Sequence, residues 1–395
     1  METFFKTHKY LIEHLGNPVH RLLMDEINWE HRLIGIKGSR SVGKTTFLLD
    51  YVQKNFGTDP ACLYVNLNNF YFTGKSIIEF AAEFQKKGGK VLLLDQIFKY
   101  PNWSQELRYC YDNFPNLKIV FTGSTIMKLD KENLELSGCV DSYYLRGFSF
   151  REFLNKEAQI SIRPYSFEEI IGNHKEIAQT INNSLKGKDI LAYYADYIRY
   201  GYYPFYLEHH DFSENLLKTL NLVLEIDVLL LNQTELSYLP KLRKLLYLIA
   251  CNGPYAPNVS QLSTDLQISR ATVMNYIKCL KDARLINILY PKDSDFPKKP
   301  ERIYLQNPNM IYAFCQDQED RQIINETFFY MSTLRKHAVN SGIKAQNFLV
   351  DETWEFCVTN KENKKRKNAS INYAVDGITE GENNQIPLWI FGFLY

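Results

Sequence analysis

No apolar run in these 395 residues approaches the ~20 needed to cross a bilayer, so a helical membrane span is excluded. Charge of neither sign is in excess. The 46 Lys and Arg residues face 45 Asp and Glu, and the net charge of +1 exerts no global pull toward nucleic acid or anionic lipid. No C-x-x-C pair occurs. The seven cysteines (62, 110, 139, 251, 279, 315 and 357) are scattered and odd in number, which fits reduced thiols in a cytoplasm better than a disulfide framework. Met1-Glu2-Thr3-Phe4-Phe5-Lys6 lacks the basic segment and apolar core of a signal peptide, so a cytoplasmic location is expected. Internal repeats, low-complexity tracts and a Ser/His/Asp constellation are also missing. His209-His210-Asp211 has no companion at metal-ligand spacing and reads as a surface loop. What the chain has in quantity is aromatics, 27 Tyr and 25 Phe, spread over its whole length and most simply read as packing.

One stretch is chemically specific. Gly38-Ser39-Arg40-Ser41-Val42-Gly43-Lys44-Thr45 follows the apolar run Leu33-Ile34-Gly35-Ile36, which reads as a strand, and opens Thr46-Phe47-Leu48-Leu49-Asp50-Tyr51-Val52, which reads as a helix. This is G-x-x-x-x-G-K-T in the strand–turn–helix setting a phosphate-binding loop requires. Gly38, Ser41 and Gly43 let backbone N–H groups curl around a phosphate at a helix N-terminus, with Thr46 following in the first turn. Lys44 is expected to reach the β- and γ-phosphates of ATP, and Thr45 to hold Mg²⁺.

Fifty-one residues after Lys44, Val91-Leu92-Leu93-Leu94-Asp95 places an acid at the end of an apolar strand. Asp95 is the expected second Mg²⁺ residue, acting through water. The next position, where a general base is usual, is Gln96. A neutral amide cannot take a proton as a carboxylate does, and general-base help is worth roughly 10²–10⁴ in rate. Three readings stay open: Gln96 packs, it orients water as in some GTPases, or it stands where an engineered change removed a Glu. Weak or lost hydrolysis follows from the base argument, with Gln96 the candidate catalytic position. A further strand, Lys118-Ile119-Val120-Phe121-Thr122-Gly123, ends in small hydroxyl residues. Ser124 is either a γ-phosphate contact or the N-cap of a following helix.

Apolar runs at Leu33–Ile36, Cys62–Leu67, Val91–Leu94 and Lys118–Thr122 alternate with helical patterns, which predicts a parallel sheet covered on both faces. Residues 1–30 read as helical, as do 150–235, with a break at Tyr200-Gly201-Tyr202-Tyr203-Pro204. Val259–Ile268 and Ser269–Lys281 read as two helices, and Leu285–Tyr290 with Arg302–Leu305 as a hairpin. That is a helix-turn-helix with a wing. Thr272, Asn275 and Lys278 share its exposed face, while Arg270, Lys278, Lys281 and Arg284 are offset by Asp265 and Asp282. DNA is therefore a candidate partner and a protein-contact module the alternative. The run Lys361–Lys367 is a phosphate contact or a solvated loop, and the apolar Ile386–Tyr395 should be tucked into a core.

Taken together, the chain resembles the prokaryotic AAA+-like ATPases that carry an AAA domain followed by a DUF4143 region. The resemblance rests on Arg32–Gly38 with the phosphate loop, Asp95–Trp103, Phe121–Ser124, Arg146–Phe153, Tyr200–Pro204 and Ile386–Tyr395. It implies an α/β fold: a P-loop NTPase parallel sheet over 1–150, a helical lid over 151–235, a winged helix over 236–318, and a small α+β domain like the PD-(D/E)xK nucleases over 319–395. Departures matter as much. Gln96 replaces the usual Glu and Phe98 a His. Ser137-Gly138-Cys139 stands where a candidate arginine finger is usual. Asn347 and Cys357 stand where the resemblance implies metal-binding acids, leaving Glu326 and Lys361. Amide and thiol are poor Mg²⁺ ligands, so the nuclease-like domain is expected to be inactive. The expectation is an ATP- and Mg²⁺-binding switch with an unidentified protein partner. Its rivals are a DNA-binding regulatory or defence protein with structural ATP, and an active ATPase.

Overall fold

The computed structural model describes residues 1–129, 133–208, 211–228, 236–253, 256–315, 320–344, 346–362 and 370–395. They form two compact units, Met1–Gly147 and Phe148–Tyr395.

The first unit contains α1 (Glu2–Glu13), α2 (Leu23–Glu26), β1 (Leu33–Lys37), α3 (Lys44–Asn55), β2 (Cys62–Asn66), α4 (Ile77–Lys86), β3 (Val91–Asp95), α5 (Trp103–Asn113), β4 (Lys118–Gly123) and β5 (Asp141–Tyr144). The strands form one all-parallel sheet in the order β2-β3-β4-β1-β5. The four apolar runs become β1 to β4. The fifth strand carries no apolar run, because Asp141-Ser142-Tyr143-Tyr144 lies at the sheet edge and is only partly covered.

Alternation along the strands sends residues to two buried faces. Leu33, Leu63, Leu92, Leu94, Ile119 and Phe121 pack on one side with Phe80 and Phe84 of α4 and Leu107 of α5. Ile34, Ile36, Leu93 and Val120 pack on the other with Phe47, Leu48 and Val52 of α3. A fully buried leucine such as Leu93 contributes about 1.5–3 kcal/mol relative to exposure. Gly35 is the gap in this wall: a Cβ there would lie 2.7 Å from the Phe121 ring.

Strand order positions the site. Because β4 lies between β1 and β3, three C-terminal strand ends sit side by side: Lys37–Gly38, Thr122–Ser124 and Asp95–Gln96. The register pairs Lys37 with Gly123 and Leu94 with Phe121, which brings Asp95 level with Thr122. In open parallel sheets ligands bind beyond this edge.

The second unit begins with α6 (Phe150–Glu157), α7 (Phe167–Ser184), α8 (Ile190–Asp196) and α9 (Phe212–Leu222). α8 runs on into a π-helical turn at Tyr197–Gly201, which overlaps the start of the break read at Tyr200–Pro204. Then come α10 (Leu239–Cys251), α11 (Val259–Leu266), α12 (Arg270–Asp282) and the antiparallel hairpin β6 (Ile286–Leu289) with β7 (Arg302–Leu305). Ser269 caps α12 by accepting from the Thr272 N–H. After α13 (Pro308–Phe314) and α14 (Arg321–Thr333), a mixed sheet runs β12-β11-β10-β9-β8. Its strands are β8 (Val339–Ser341), β9 (Phe348–Val350), β10 (Trp354–Asn360), β11 (Asn372–Asp376) and β12 (Gln385–Pro387). The apolar Leu388–Phe393 segment is fully buried, and Phe391 packs its ring against Phe329 and Phe356. Among the described residues no helix is long and apolar enough to cross a membrane.

Candidate functional site

The loop between β1 and α3 is shaped by its two glycines. A Cβ on Gly38 would lie 2.4 Å from the Leu145 carbonyl oxygen, so only glycine fits, and the Gly38 N–H donates to Gly123 O at 3.2 Å. Gly43 has φ +89°, a left-handed conformation natural to glycine, immediately before α3. Ser41 is also left-handed, at φ 62°, a strain of the kind that gathers at functional loops. The Phe47 N–H reaches back to Gly43 O at 2.9 Å. The N–H groups of Gly43, Lys44, Thr45 and Thr46 therefore precede any carbonyl of α3 that could accept them. Thr46 itself is exposed. Lys44 folds back over the loop, its Nζ donating to Gly38 O at 2.8 Å and Ser39 O at 2.7 Å.

Asp95 is the hub. It is 1% exposed and accepts from Thr45 Oγ1 at 2.7 Å and Tyr64 OH at 2.8 Å on one oxygen. Its other oxygen accepts from the Gln96 N–H at 3.0 Å and from the Thr122 hydroxyl. Burial, then the neighbouring carboxylate, pushes the Tyr64 phenol far above its ordinary range, so Tyr64 is a donor throughout the physiological range. Thr45 and Asp95, the two residues expected to serve Mg²⁺, are thus in direct contact. Ser124 is 3% exposed and its Oγ has no partner among the described residues. No described helix begins at Thr125–Leu129, so the N-cap alternative for Ser124 has nothing to cap. Gln96 is half-buried and left-handed at φ 58°, ψ 40°, held by its own N–H on Asp95 and on Thr122 Oγ1 at 3.1 Å.

These features fit a polyphosphate with a hard divalent cation. A helix N-terminus and a lysine ammonium at the same loop suit phosphate oxygens. A carboxylate beside a threonine hydroxyl suits Mg²⁺, and a buried, unpartnered Ser124 hydroxyl faces the same strand edge. Sequence reasoning missed Tyr64 and Arg21. The signal for Tyr64 was its polar tip in the otherwise apolar Cys62–Val65 run, since a buried tyrosine hydroxyl needs a partner.

In the second unit, Glu326 on α14 is not open to a metal. Its carboxylate takes Arg302 Nη1, Tyr304 OH and Gln322 Nε2, each at 2.8 Å. Arg302 also donates to the Asn347 carbonyl at 3.3 Å, and the Asn347 amide donates to Glu355 at 2.6 Å. Cys357 is half-buried and Lys361 exposed. On α12, Arg270, Asn275 and Lys278 are exposed and Thr272 half-buried. Lys278 pairs with Asp282 at 2.5 Å and Lys281 with Asp295 at 3.6 Å. His209, His210 and residues 363–367 of the basic run lie outside the described residues.

Comparison with known proteins agrees with the first unit. The family model described as AAA domain matches residues 30–154. A second match, over residues 191–312, is to a domain of unknown function, DUF8612, where the sequence suggested DUF4143. An uncharacterized protein of Methanocaldococcus jannaschii is 26% identical over 283 residues, 68% of this chain and 58% of the relative. The chain thus spans well under two thirds of that relative's length. Among solved structures, ORC1 of Aeropyrum pernix in complex with DNA is 12% identical at a TM-score of 0.31, covering 80% of this chain and 92% of that one. AMPPCP-bound DnaA of Aquifex aeolicus is 15% identical at a TM-score of 0.24, covering 70% and 86%. With the parallel sheet, the strand order and the family match together, residues 30–154 form an AAA-type P-loop NTPase domain.

Proposed function

We propose that the protein binds ATP with Mg²⁺ at the β1, β3 and β4 strand ends and works as a nucleotide-dependent switch whose hydrolysis is slow. The observation that carries the reading is the 2.7 Å contact of Thr45 with a buried Asp95, next to a glycine-shaped loop that opens directly into the N-terminus of α3. Mg²⁺, when bound, neutralises charge on the phosphate oxygens. The chain's own part is to cradle phosphate with the Gly43–Thr46 amides, balance its charge with Lys44, and hold the ion with Thr45 and Asp95. Ser124 offers a donor at the same edge. Gln96 orients water without taking its proton, which removes roughly 10²–10⁴ of rate.

The test is thermal. ATP with Mg²⁺ raises the melting temperature of the wild type by linkage and leaves Lys44→Ala nearly unmoved. Equal shifts in both proteins would overturn the reading.

Residues 151–235 act in this reading as a helical lid, 236–318 as a winged helix and 319–395 as a degenerate nuclease-like domain. Support for lost nuclease chemistry comes from Arg302, which neutralises Glu326 where a metal would otherwise need it. Plasmid, linear duplex and RNA stay intact with Mg²⁺ or Mn²⁺, and cleavage abolished by Lys361→Ala would refute this.

A second reading, DNA contact, is favoured by the two-helix-and-hairpin arrangement of α11, α12, β6 and β7, with Arg270 and Asn275 exposed. The Lys278 and Lys281 ion pairs reduce its basic footprint. Retention on DNA that falls with salt, and falls further in Arg270→Ala, supports it over a protein-contact module.

A further inference from the structure

Arg21 lies just ahead of α2, far in sequence from the phosphate loop, yet it is 6% exposed and ends beneath that loop. Its Nη1 donates to the Val42 carbonyl at 3.0 Å. Its Nη2 donates to the carbonyls of Arg146 at 2.5 Å and Gly147 at 3.1 Å. Burying a guanidinium is costly, and it stays charged at any physiological pH. Three main-chain carbonyls meet it here.

We propose that Arg21 is a positioning residue for the phosphate-binding loop, holding the Val42–Gly43 peptide so that its N–H faces the phosphate. A peptide unit is planar and trans, so the Val42 carbonyl and the Gly43 N–H point in opposite directions. A donor that draws the carbonyl to the protein side turns the N–H to the other side. Gly43, left-handed at φ +89°, is the residue whose freedom would otherwise let this peptide flip. By reaching Arg146 and Gly147 with its other nitrogen, the guanidinium ties the loop to the segment after β5, whose Leu145 carbonyl already backs Gly38. Its charge adds a second effect: a buried cation behind the loop favours an anion in front of it.

The proposal rests on the nucleotide reading above, and the experiment separates the two. Equilibrium binding of ATP with Mg²⁺ is measured on the full chain, in the cold and far below melting, for wild type, Lys44→Ala, Arg21→Met and Arg21→Lys. Hydrogen bonds from a charged donor set the scale, so Arg21→Met weakens binding about ten- to hundredfold. Arg21→Lys falls between, because one ammonium cannot span Val42 and the Arg146–Gly147 pair. Mg²⁺ with inorganic tripolyphosphate shows the same ranking, since the effect lies in the phosphate cradle and not at a base. A merely structural arginine would lower the melting temperature and leave affinity in the cold unchanged. Wild-type affinity in Arg21→Met therefore overturns the proposal while leaving the nucleotide reading intact. No binding by wild type overturns both. Should Arg21→Met fail to fold, Arg21→Lys decides, and unchanged affinity in that folded variant overturns the proposal.

Discussion

Replacing Asp95 by Asn separates the fold's needs from the ligand's. The change is nearly isosteric and removes one charge. All four donors to Asp95 are neutral: the Thr45 and Thr122 hydroxyls, the Tyr64 phenol and the Gln96 N–H. An asparagine keeps its oxygen toward Gln96 N and Thr122, and turns its NH₂ toward Thr45 and Tyr64, whose hydroxyls accept as readily as they donate. Four bonds to a charge, about 1.5–3 kcal/mol each, become ordinary ones of about 0.5–1.5. Against that stands the relief of a buried carboxylate, itself worth several kcal/mol. The two nearly cancel, and the ligand-free protein should stay within about 2 kcal/mol of wild type. The ligand's share does not cancel. ATP and Mg²⁺ at a hundred times Kd stabilise the wild type by about 2.7 kcal/mol. At roughly 2–4 °C per kcal/mol for a domain of this size, that is about 5–11 °C. Differential scanning fluorimetry with and without ATP and Mg²⁺ should show that shift in wild type and little of it in Asp95→Asn. An equal shift in the variant would refute the assignment of Asp95 to the cation. A collapse of its ligand-free melting temperature would refute the argument that the carboxylate serves function and not folding.

Gln96→Glu should raise steady-state ATP turnover by at least about 10², because it restores a proton acceptor beside the attacking water; an unchanged rate of phosphate release would count against the general-base argument. His8 gives the first unit an acid limit. Its Nδ1 accepts the Tyr64 N–H at 2.9 Å, which only the neutral ring can do, and burial lowers its pKa while a Gly57 backbone contact opposes the shift. The unfolded chain binds the proton more readily, so stability is full above about pH 6.5 and falls as pH drops through the lower folded value; melting curves against pH should flatten in His8→Gln. In the second unit the Arg302–Glu326 pair, both under a tenth exposed, predicts that Glu326→Gln costs about 3–5 kcal/mol, whereas Arg302→Met with Glu326→Leu recovers most of it in urea unfolding.

Much of the first unit was legible because its physics is local. Buried parallel strands read as short apolar runs, and a phosphate loop needs glycine where the backbone turns left-handed and where Leu145 presses on it. The edge strand Asp141–Tyr144 was not legible, since a half-covered edge imposes neither an apolar run nor alternation. Tyr64 and Arg21 act on the site from β2 and from the turn before α2, and only the strand order brings Tyr64 beside Asp95. Glu326 was legible only as an acid remaining in the nuclease-like pattern that the resemblance implies, and its partner was not. Arg302 lies 24 residues away, on a strand that reads simply as half of a hairpin.

The central claim is that the chain binds ATP and hydrolyses it slowly, and the fate of the bound nucleotide tests both parts at once. Wild-type protein is incubated with ATP and Mg²⁺, separated from free nucleotide by rapid gel filtration, and the nucleotide it retains is identified by chromatography over time. The account predicts near-stoichiometric retention that Lys44→Ala abolishes, with the nucleotide recovered as ATP after an interval in which an ordinary enzyme, at roughly 1–10³ turnovers per second, would have left only ADP. No retained nucleotide, or ADP alone at the earliest time, would contradict it.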